Sequence, residues 1–310
     1  MGMSQLIPEQ RGKAIILALL ACLSSAMMAM FVKLSSDTAP ITVVLLVRFG
    51  VSWLLCCVML SWQKPTSTSW FESLKSTRWV MQLVRSLLGC VVLLAFFIAT
   101  QFLSLATATV LFSTSPFFIP LIAYLWKGIR FYRQLWWAMS LGFLGIVIIV
   151  RPGSDIFSLP AVYGLFAGIG SAVVIFMTRL LSYTEPTYRT VFYDFTVGTV
   201  FSALFCAYHW HPFHFSLSLI GYLIGVGVLG YLYLYFSVAC TRYAPVRLTG
   251  PFIYATTLFG LLLDWMVWKH VPSALSWCGM GCIIIAGVLM LVLFPQDRYQ
   301  QERVVSDRSV

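Results

Sequence analysis

Charged residues are scarce in this 310-residue sequence: Asp, Glu, Lys and Arg make up 10% of it, whereas hydrophobic residues make up 60%. A soluble domain carries roughly 25% charged residues, so this composition excludes an ordinary water-facing surface. No stretch of mixed composition is long enough to fold as an extramembranous catalytic domain. The mean hydropathy of +0.90 instead indicates a chain that lies mostly within a membrane.

Motifs that carry common enzyme chemistry are also missing. The chain has no glycine-rich phosphate loop ending in Gly-Lys-Ser or Gly-Lys-Thr, no His-Glu-x-x-His motif and no Gly-x-Ser-x-Gly elbow. Nucleotide hydrolysis and ordinary hydrolase chemistry depend on such motifs. We therefore predict that the protein is not an enzyme and uses no cofactor.

Ten apolar runs follow one another along the chain, each bounded by charged or turn residues. A helix needs about 20 apolar residues to cross a bilayer, so ten helices would use about 200 residues. The sequence thus predicts an all-α integral membrane protein with ten transmembrane helices. The predicted spans are 14–33, 41–62, 80–102, 105–126, 135–151, 161–181, 190–208, 217–238, 246–268 and 274–294.

The net charge of +10 indicates topology. With the N-terminus in the cytoplasm, 15 of the 20 Lys and Arg residues lie on the inner side, and only Lys33, Arg151 and Lys269 lie on the outer side. This bias predicts cytoplasmic N- and C-termini in a bacterial cytoplasmic (inner) membrane. We expect no nucleic-acid partner, because the basic residues are spread between apolar segments.

A weak internal repeat divides the chain into two halves. Sliding the sequence by 142 residues aligns LFSTSPFFIPLIAYLW with IYATTLFGLLLDWMVW, so that Ser115 meets Thr257. Each half holds five spans, and because five is odd, the second half enters from the opposite face as an inverted repeat. The predicted domains are a first five-helix repeat at 11–153, a second at 157–295 and a cytoplasmic tail at 296–310.

Four charged residues, Arg48, Arg85, Asp194 and Asp264, lie within apolar spans. Each costs about 2.5–3.5 kcal/mol at the centre of a membrane helix, so a partner or an aqueous cavity is expected. By depth, Arg48 matches Asp264 towards the outer side and Arg85 matches Asp194 towards the inner side. Our hypothesis is that Arg48, Asp194 and Asp264 gate or couple transport. The alternative is that each side chain reaches the headgroups.

Hydroxyl groups interrupt the fourth and ninth spans near mid-depth. Ser113 and Ser115 stand beside Pro116, whereas Tyr254 and Thr257 follow Gly250-Pro251. Such hydroxyls can line a substrate cavity at the bilayer midplane. The alternative is that they hydrogen-bond within their own helix or hold two helices together.

Two further spans supply candidate cavity residues. Ser24 lies near the middle of the first span, and Tyr231, Tyr233 and Tyr235 alternate along the eighth. A helix turns about 100° per residue, so Tyr231 and Tyr235 share a face and Tyr233 points away. We select Tyr235 as an aromatic wall of the cavity.

The sequence contains one cluster with metal-ligand character. His209, His211 and His214 lie in the outer loop HWHPFH, interrupted by proline and without a nearby carboxylate or cysteine. A zinc site needs three or four converging ligands, so we predict an interfacial loop and no metal site. All eight cysteines fall in or at the ends of apolar runs, which indicates packed thiols instead of a disulfide framework.

Diffuse motifs recur in order across almost the whole chain. They are VRFG around Arg48, VRSLLGCVVLLAFFIATQFLSLATATVLFSTSPFF from Arg85 onwards, RPG at 151–153 and RYAPVRLTGPFIYATTLFG before the last span. In these the chain resembles the EamA-type permeases of the drug/metabolite transporter superfamily. The resemblance implies two inverted five-helix repeats, with the cavity between spans one, three, four, six, eight and nine. It also implies that spans five and ten are set apart.

The chain departs from that family pattern at two places. Members often carry Gly-Glu after spans four and nine, where this sequence has Lys127-Gly128 and Lys269-His270. Any role of those acids is absent here or is taken by another acid such as Asp264.

We therefore expect a secondary transporter that moves a small polar metabolite by alternating access, with amino acids and related amphipathic solutes first among candidates. In this scheme hydroxyls from Ser24, Ser113, Ser115, Tyr254 and Thr257 bind the solute, together with Tyr235 and with Arg85 as the carboxylate ligand. Coupling to a proton, the direction of transport and a homodimer stay open. The alternatives are a membrane-embedded enzyme acting on lipids and a non-transporting, partner-binding membrane protein.

Overall fold

A computed structural model describes residues 11–36, 38–62, 74–103, 105–127, 133–150, 159–209, 216–243, 250–269 and 274–293. Within these ranges the regular structure is helical. We number the helices by predicted span. They are α1 Arg11–Ser35, α2 Ile41–Trp62, α3 Trp79–Phe102, α4a Leu105–Phe112, α4b Ser115–Lys127, α5 Arg133–Val150, α6 Leu159–Ser182, α7 Thr187–Tyr208, α8 Leu217–Tyr243, α9 Tyr254–Trp268 and α10 Ala274–Leu293.

The ten predicted spans are each represented by helix, and the fold class is confirmed. Six helices, α1, α2, α3, α6, α7 and α8, are each long and apolar enough by themselves to cross a membrane. The ninth span is shorter, since a 3-10 turn at Gly250–Ile253 precedes the 15 residues of α9. The predicted cytoplasmic tail lies outside the described residues.

The fourth span is broken in its middle. Residues 113 and 114 form a turn, in which the Ser113 N–H donates to the Thr109 carbonyl and the Thr114 N–H donates to the Leu111 carbonyl. Pro116 is the second residue of α4b, where its missing N–H leaves no helical hydrogen bond unmade. The serine, threonine and proline in the sequence therefore divide this span into two short helices.

Helix packing repeats between the two halves of the chain. Helix α1 packs most extensively against α8, and the equivalent helix of the other half, α6, packs against α3. Helix α2 packs against α7, α4a against α9 and α5 against α10, so that each of these helices meets its own counterpart. Exchanging the two halves reproduces the pattern of contacts, as an inverted repeat of five helices requires.

Helices α5 and α10 pack mainly against each other, as the family resemblance implies. Their glycines allow the approach, since a Cβ built on Gly145 would lie 2.6 Å from the Gly279 carbonyl oxygen. The main buried apolar cluster lies elsewhere, mainly between α1, α2, α3, α6, α7 and α8, with Leu105 and Ala108 of α4a. These six helices therefore build most of the buried core.

Contacts between helix ends agree with a topology in which successive helices cross the membrane in opposite directions. Lys33, at the end of α1, donates to the carbonyl of Leu103 just after α3, and its Nζ lies 5.8 Å from the ring centre of Trp268 at the end of α9. At the other face, Nζ of Lys13 lies 4.7 Å from the ring centre of Tyr243, which ends α8. Each group joins helix ends that the ten-span topology assigns to one side.

Candidate functional site

Helices from both halves enclose a cavity of about 80 Å³. It lies between α1, α2 and α3 of the first half and α6, α7 and α8 of the second, with Phe112 of α4a at its edge. Its aromatic lining includes Phe49 and Phe96. Its main polar lining consists of Ser25, Arg48, Arg85, Ser171, Thr178, Asp194, Tyr233, Ser237 and Thr241.

Arg85 and Asp194 form a buried ion pair at this cavity. The Nη1 atom of Arg85 lies 2.9 Å from Oδ1 of Asp194, and the two side chains are 2% and 9% exposed. The Nε–H of Arg85 also donates to Oγ1 of Thr178 at 2.7 Å. The pairing suggested by depth is therefore present, and it ties α3 to both α6 and α7. The gating role assigned to Asp194 stays a prediction.

Arg48 lies in the same cavity and is equally buried, with 2% of its surface exposed. Its guanidinium carbon is 4.2 Å from the ring centre of Phe49 and 5.7 Å from that of Phe195. Its Nε and Nη1 atoms have no hydrogen-bond partner among the residues that the structure describes.

Arg48 and Asp264 therefore do not form a separate outer pair. Arg48 instead interacts electrostatically with Asp194, whereas half-buried Asp264, on α9, does not line the cavity. Sequence depth could not locate the guanidinium, because a long arginine side chain can carry its charge several ångströms from its own backbone.

A second polar cluster closes one end of the α3–α6–α7 contact. Glu185, between α6 and α7, accepts hydrogen bonds from the Ser76 hydroxyl at 2.6 Å, the Thr77 N–H at 3.2 Å and Arg189 Nη1 at 2.6 Å. One turn further into the membrane, Gln82 Nε2 donates to Thr190 Oγ1 at 3.1 Å. Burial alone would raise the pKa of Glu185, but the hydrogen bonds from Ser76 and Arg189 outweigh it and lower the pKa.

The predicted hydroxyls of spans four and nine lie away from the cavity. The hydroxyls of Ser113 and Thr257 are 3.1 Å apart and join α9 to the break between α4a and α4b. The Tyr254 hydroxyl donates to the Met139 carbonyl on α5 at 3.4 Å, and Ser115 is buried outside the cavity lining. The hydroxyls of Ser113, Thr257 and Tyr254 therefore hold helices together, which was the alternative interpretation. They form hydrogen bonds with one another or with a neighbouring backbone carbonyl.

The cavity is lined by the face of α8 opposite to Tyr235 and by the serine of α1 that follows Ser24. Tyr233 lines it, whereas Tyr235 stacks on Tyr231 with ring centres 6.0 Å apart. Likewise Ser25 lines the cavity, and Ser24 does not. The spacing of Tyr233, Ser237 and Thr241, one helical turn each, is a sequence signal for this polar face. The signal is easily overlooked, because Tyr231 and Tyr235 lie on the opposite face.

The histidine loop falls mostly outside the described residues, which include only His209 of the three. Its ring packs beside Phe205 with ring centres 4.8 Å apart. Across the described ranges no group of three or more His, Cys, Asp or Glu residues is placed to hold a metal ion. All eight cysteines lie in described helices as free thiols.

An inverted repeat of five helices around a buried polar cavity is an arrangement found among membrane transporters. The chain belongs to the EamA-like transporter family, whose model matches it twice, at residues 12–151 and 158–293. It is thus a multi-pass membrane protein and a transporter of small metabolites.

Several bacterial relatives are named as transporters. The pseudopaline exporter CntI of Pseudomonas aeruginosa is 28% identical over 279 residues, which cover 89% of this chain and 95% of the relative. The riboflavin transporter of Vibrio cholerae is 25% identical, with 86% and 88% covered. The S-adenosylmethionine uptake transporter of Rickettsia felis is 23% identical, with 73% and 76% covered.

The same fold occurs in a crystal structure that is 18% identical to this chain. It superposes with a TM-score of 0.72 and covers 92% of this chain and 98% of the other. At this identity the likeness concerns the fold alone.

Proposed function

We propose that the protein carries a small polar metabolite across the membrane by alternating access, with the solute bound in the central cavity. Amino acids and related amphipathic solutes are the first candidates. The observation that carries the proposal is the buried lining itself, in which Arg48, Arg85 and Asp194 meet beside aromatic rings. Charged side chains are expensive within a membrane and mark solute pathways there.

The cavity lies between the two repeats, so rocking one repeat against the other would change its access. On the side of Glu185, opening requires α3 to separate from α6 and α7. That movement would break the hydrogen bonds from Ser76 to Glu185 and from Gln82 to Thr190, and strain the contact of Arg85 with Thr178. These contacts support a closed gate on this side.

The distribution of Lys and Arg supports a cytoplasmic location for the Glu185 side and for both termini, in a bacterial inner membrane. Asp194 is our candidate for the residue that binds a coupling proton, because protonation would weaken its ion pair with Arg85. Relatives include an exporter and an uptake transporter, so membership of the family is compatible with both directions. A homodimer stays a prediction.

Reconstitution tests the proposal. Purified protein in liposomes should take up and release labelled amino acids from a mixed set, and protein-free liposomes should not. A pH gradient should change the initial rate if a proton is coupled, and Asp194→Asn should remove that change. Lipid products in the same vesicles would favour a lipid-acting enzyme. Failure to move any solute of the set would contradict the proposed transport, and would favour a partner-binding role.

A further inference from the structure

Arg48 carries more hydrogen-bonding capacity than its surroundings use. A guanidinium has five N–H donors, and Nε and Nη1 carry three of them. Both atoms are buried without a hydrogen-bond partner in the described part of the chain. Buried polar groups are nearly always hydrogen-bonded, and arginine keeps its charge at any pH of interest. The side chain is therefore prepared for an acceptor that is not part of this chain's described residues.

The charges of the cavity lining point to the kind of acceptor. Two arginines and one aspartate line it, which leaves one positive charge in excess. Arg85 directs Nε to Thr178 and Nη1 to Asp194, so its donors towards these two groups are already used. Arg48 is the cation whose donors stay available. One carboxylate would balance the charge of the cavity and can accept two N–H groups side by side.

The neighbours of Arg48 hold the guanidinium in place without using its donors. The rings of Phe49 and Phe195 lie beside its carbon and contribute cation–π attraction. Gly230 on α8 leaves the space the side chain occupies, since a Cβ there would lie 3.1 Å from Nε of Arg48. Aromatic and glycine neighbours thus position a charged group whose Nε and Nη1 atoms find no hydrogen-bond acceptor in the described residues.

We propose that Arg48 binds the carboxylate of the transported solute. The protein would then select solutes that carry one carboxylate, whether the whole molecule is an anion or a zwitterion. This inference rests on the proposed function and differs from the expectation that Arg85 holds the carboxylate. In the amide of the same solute an uncharged group replaces the carboxylate, so the charge of Arg48 would stay uncompensated. Selectivity for acid over amide is therefore the measurable signature.

The test uses matched pairs of probes on the purified full-length protein: L-threonine and L-threoninamide, and L-phenylalanine and L-phenylalaninamide. Binding is measured as the shift of the unfolding temperature with probe concentration, in buffer with methanesulfonate, which carries no carboxylate, as the anion. At least one acid should stabilise the wild type, with about 30-fold or more weaker binding of its amide. Arg48→Met should lose the response to the acid. It should also unfold at a higher temperature than wild type without probe, because an unpaired buried charge has been removed.

Arg179→Met is the matched control, because Arg179 is buried and donates to the Thr241 backbone carbonyl without lining the cavity. It should lower the unfolding temperature and keep the preference for acid over amide. If Arg48→Met does not fold, Arg48→Lys replaces it, since lysine keeps the charge but cannot offer paired N–H groups to a carboxylate, and it should bind the acid more weakly than wild type. Equal binding of acid and amide, no binding of either acid, or an acid response retained in Arg48→Met would overturn the proposal.

Chloride distinguishes a solute site from a site for inorganic anions. If chloride alone produced the whole Arg48-dependent shift and the acids added nothing, the carboxylate proposal would be wrong.

Flux separates this inference from the proposed function. If acids bind in an Arg48-dependent way but no flux occurs in liposomes, only the proposed transport is contradicted. If amides are transported and their flux persists in Arg48→Met, only the carboxylate site is contradicted.

Discussion

Replacing Asp194 should be more damaging than replacing its partner Arg85, although both changes break the same ion pair. The reason is Arg48, which lines the same cavity and interacts electrostatically with Asp194. Arg85→Met leaves one arginine and one aspartate, so the cavity becomes neutral. Asp194→Asn leaves two arginines and no anion. Without Arg48, the two variants would lose the same ion pair and would be equally destabilised.

The magnitude follows from burial and distance. Two unit charges about 4 Å apart attract with about 4 kcal/mol at an effective dielectric constant of 20. Removing one member of a buried pair costs about 3–5 kcal/mol, and both side chains here are largely buried. We therefore expect Asp194→Asn to lose about 3–5 kcal/mol. For Arg85→Met we expect about 1–3 kcal/mol, the penalty of an unsatisfied buried acceptor, because Arg48 still compensates the charge of Asp194.

Unfolding by sodium dodecyl sulfate in mixed micelles measures both free energies on the purified variants. The double variant Arg85→Met with Asp194→Asn is the control, since it restores the wild-type excess of one positive charge and should lose less than Asp194→Asn alone. Arg48→Met combined with Asp194→Asn should also recover part of the loss. An Arg85→Met variant that is as destabilised as Asp194→Asn would refute the shared charge balance of the cavity.

Three further predictions concern the groups around the site. Ser113→Ala and Thr257→Val should each lose about 0.5–1.5 kcal/mol of unfolding free energy and show coupling in a double-mutant cycle. Additive losses would contradict the hydrogen bond between them. Because the pKa of Glu185 is lowered, its stabilisation is complete above the unfolded value of about 4.3 and is lost as the pH falls through the folded value. Thermal unfolding of the wild type should therefore lose more stability than Glu185→Gln in that acid range, and parallel pH profiles would contradict this. Tyr233→Phe should weaken solute binding about 2- to 10-fold in a direct binding titration, whereas Tyr235→Phe should not; the reverse order would show that the other face of α8 meets the solute.

The sequence predicts the fold well because the membrane constrains it strongly. Apolar length determines the spans, an odd number per half determines the inversion, and both are visible without coordinates. The contact of Arg85 with Asp194 was also predictable, because two opposite charges at similar depth are costly apart.

The position of side chains around each helix was harder to predict. Ser113 and Thr257 look like a solute site in sequence, but each finds the other across the helix contact. The aromatic face with Tyr235 is conspicuous in the sequence, whereas the cavity is lined by the face with Tyr233, Ser237 and Thr241. Rotation about the helix axis depends on which neighbours pack there, and hydropathy carries little of that information.

If Arg48 binds the carboxylate of the solute as proposed, it also sets the energetics of the unloaded carrier. Closing around an unloaded site would enclose a bare guanidinium, whereas closing around a carboxylate encloses a neutral pair at lower electrostatic cost. The reorientation step is then faster with cargo than without it. A transporter built in this way favours exchange of one solute molecule for another over one-way flow, and its net rate is limited by the return journey.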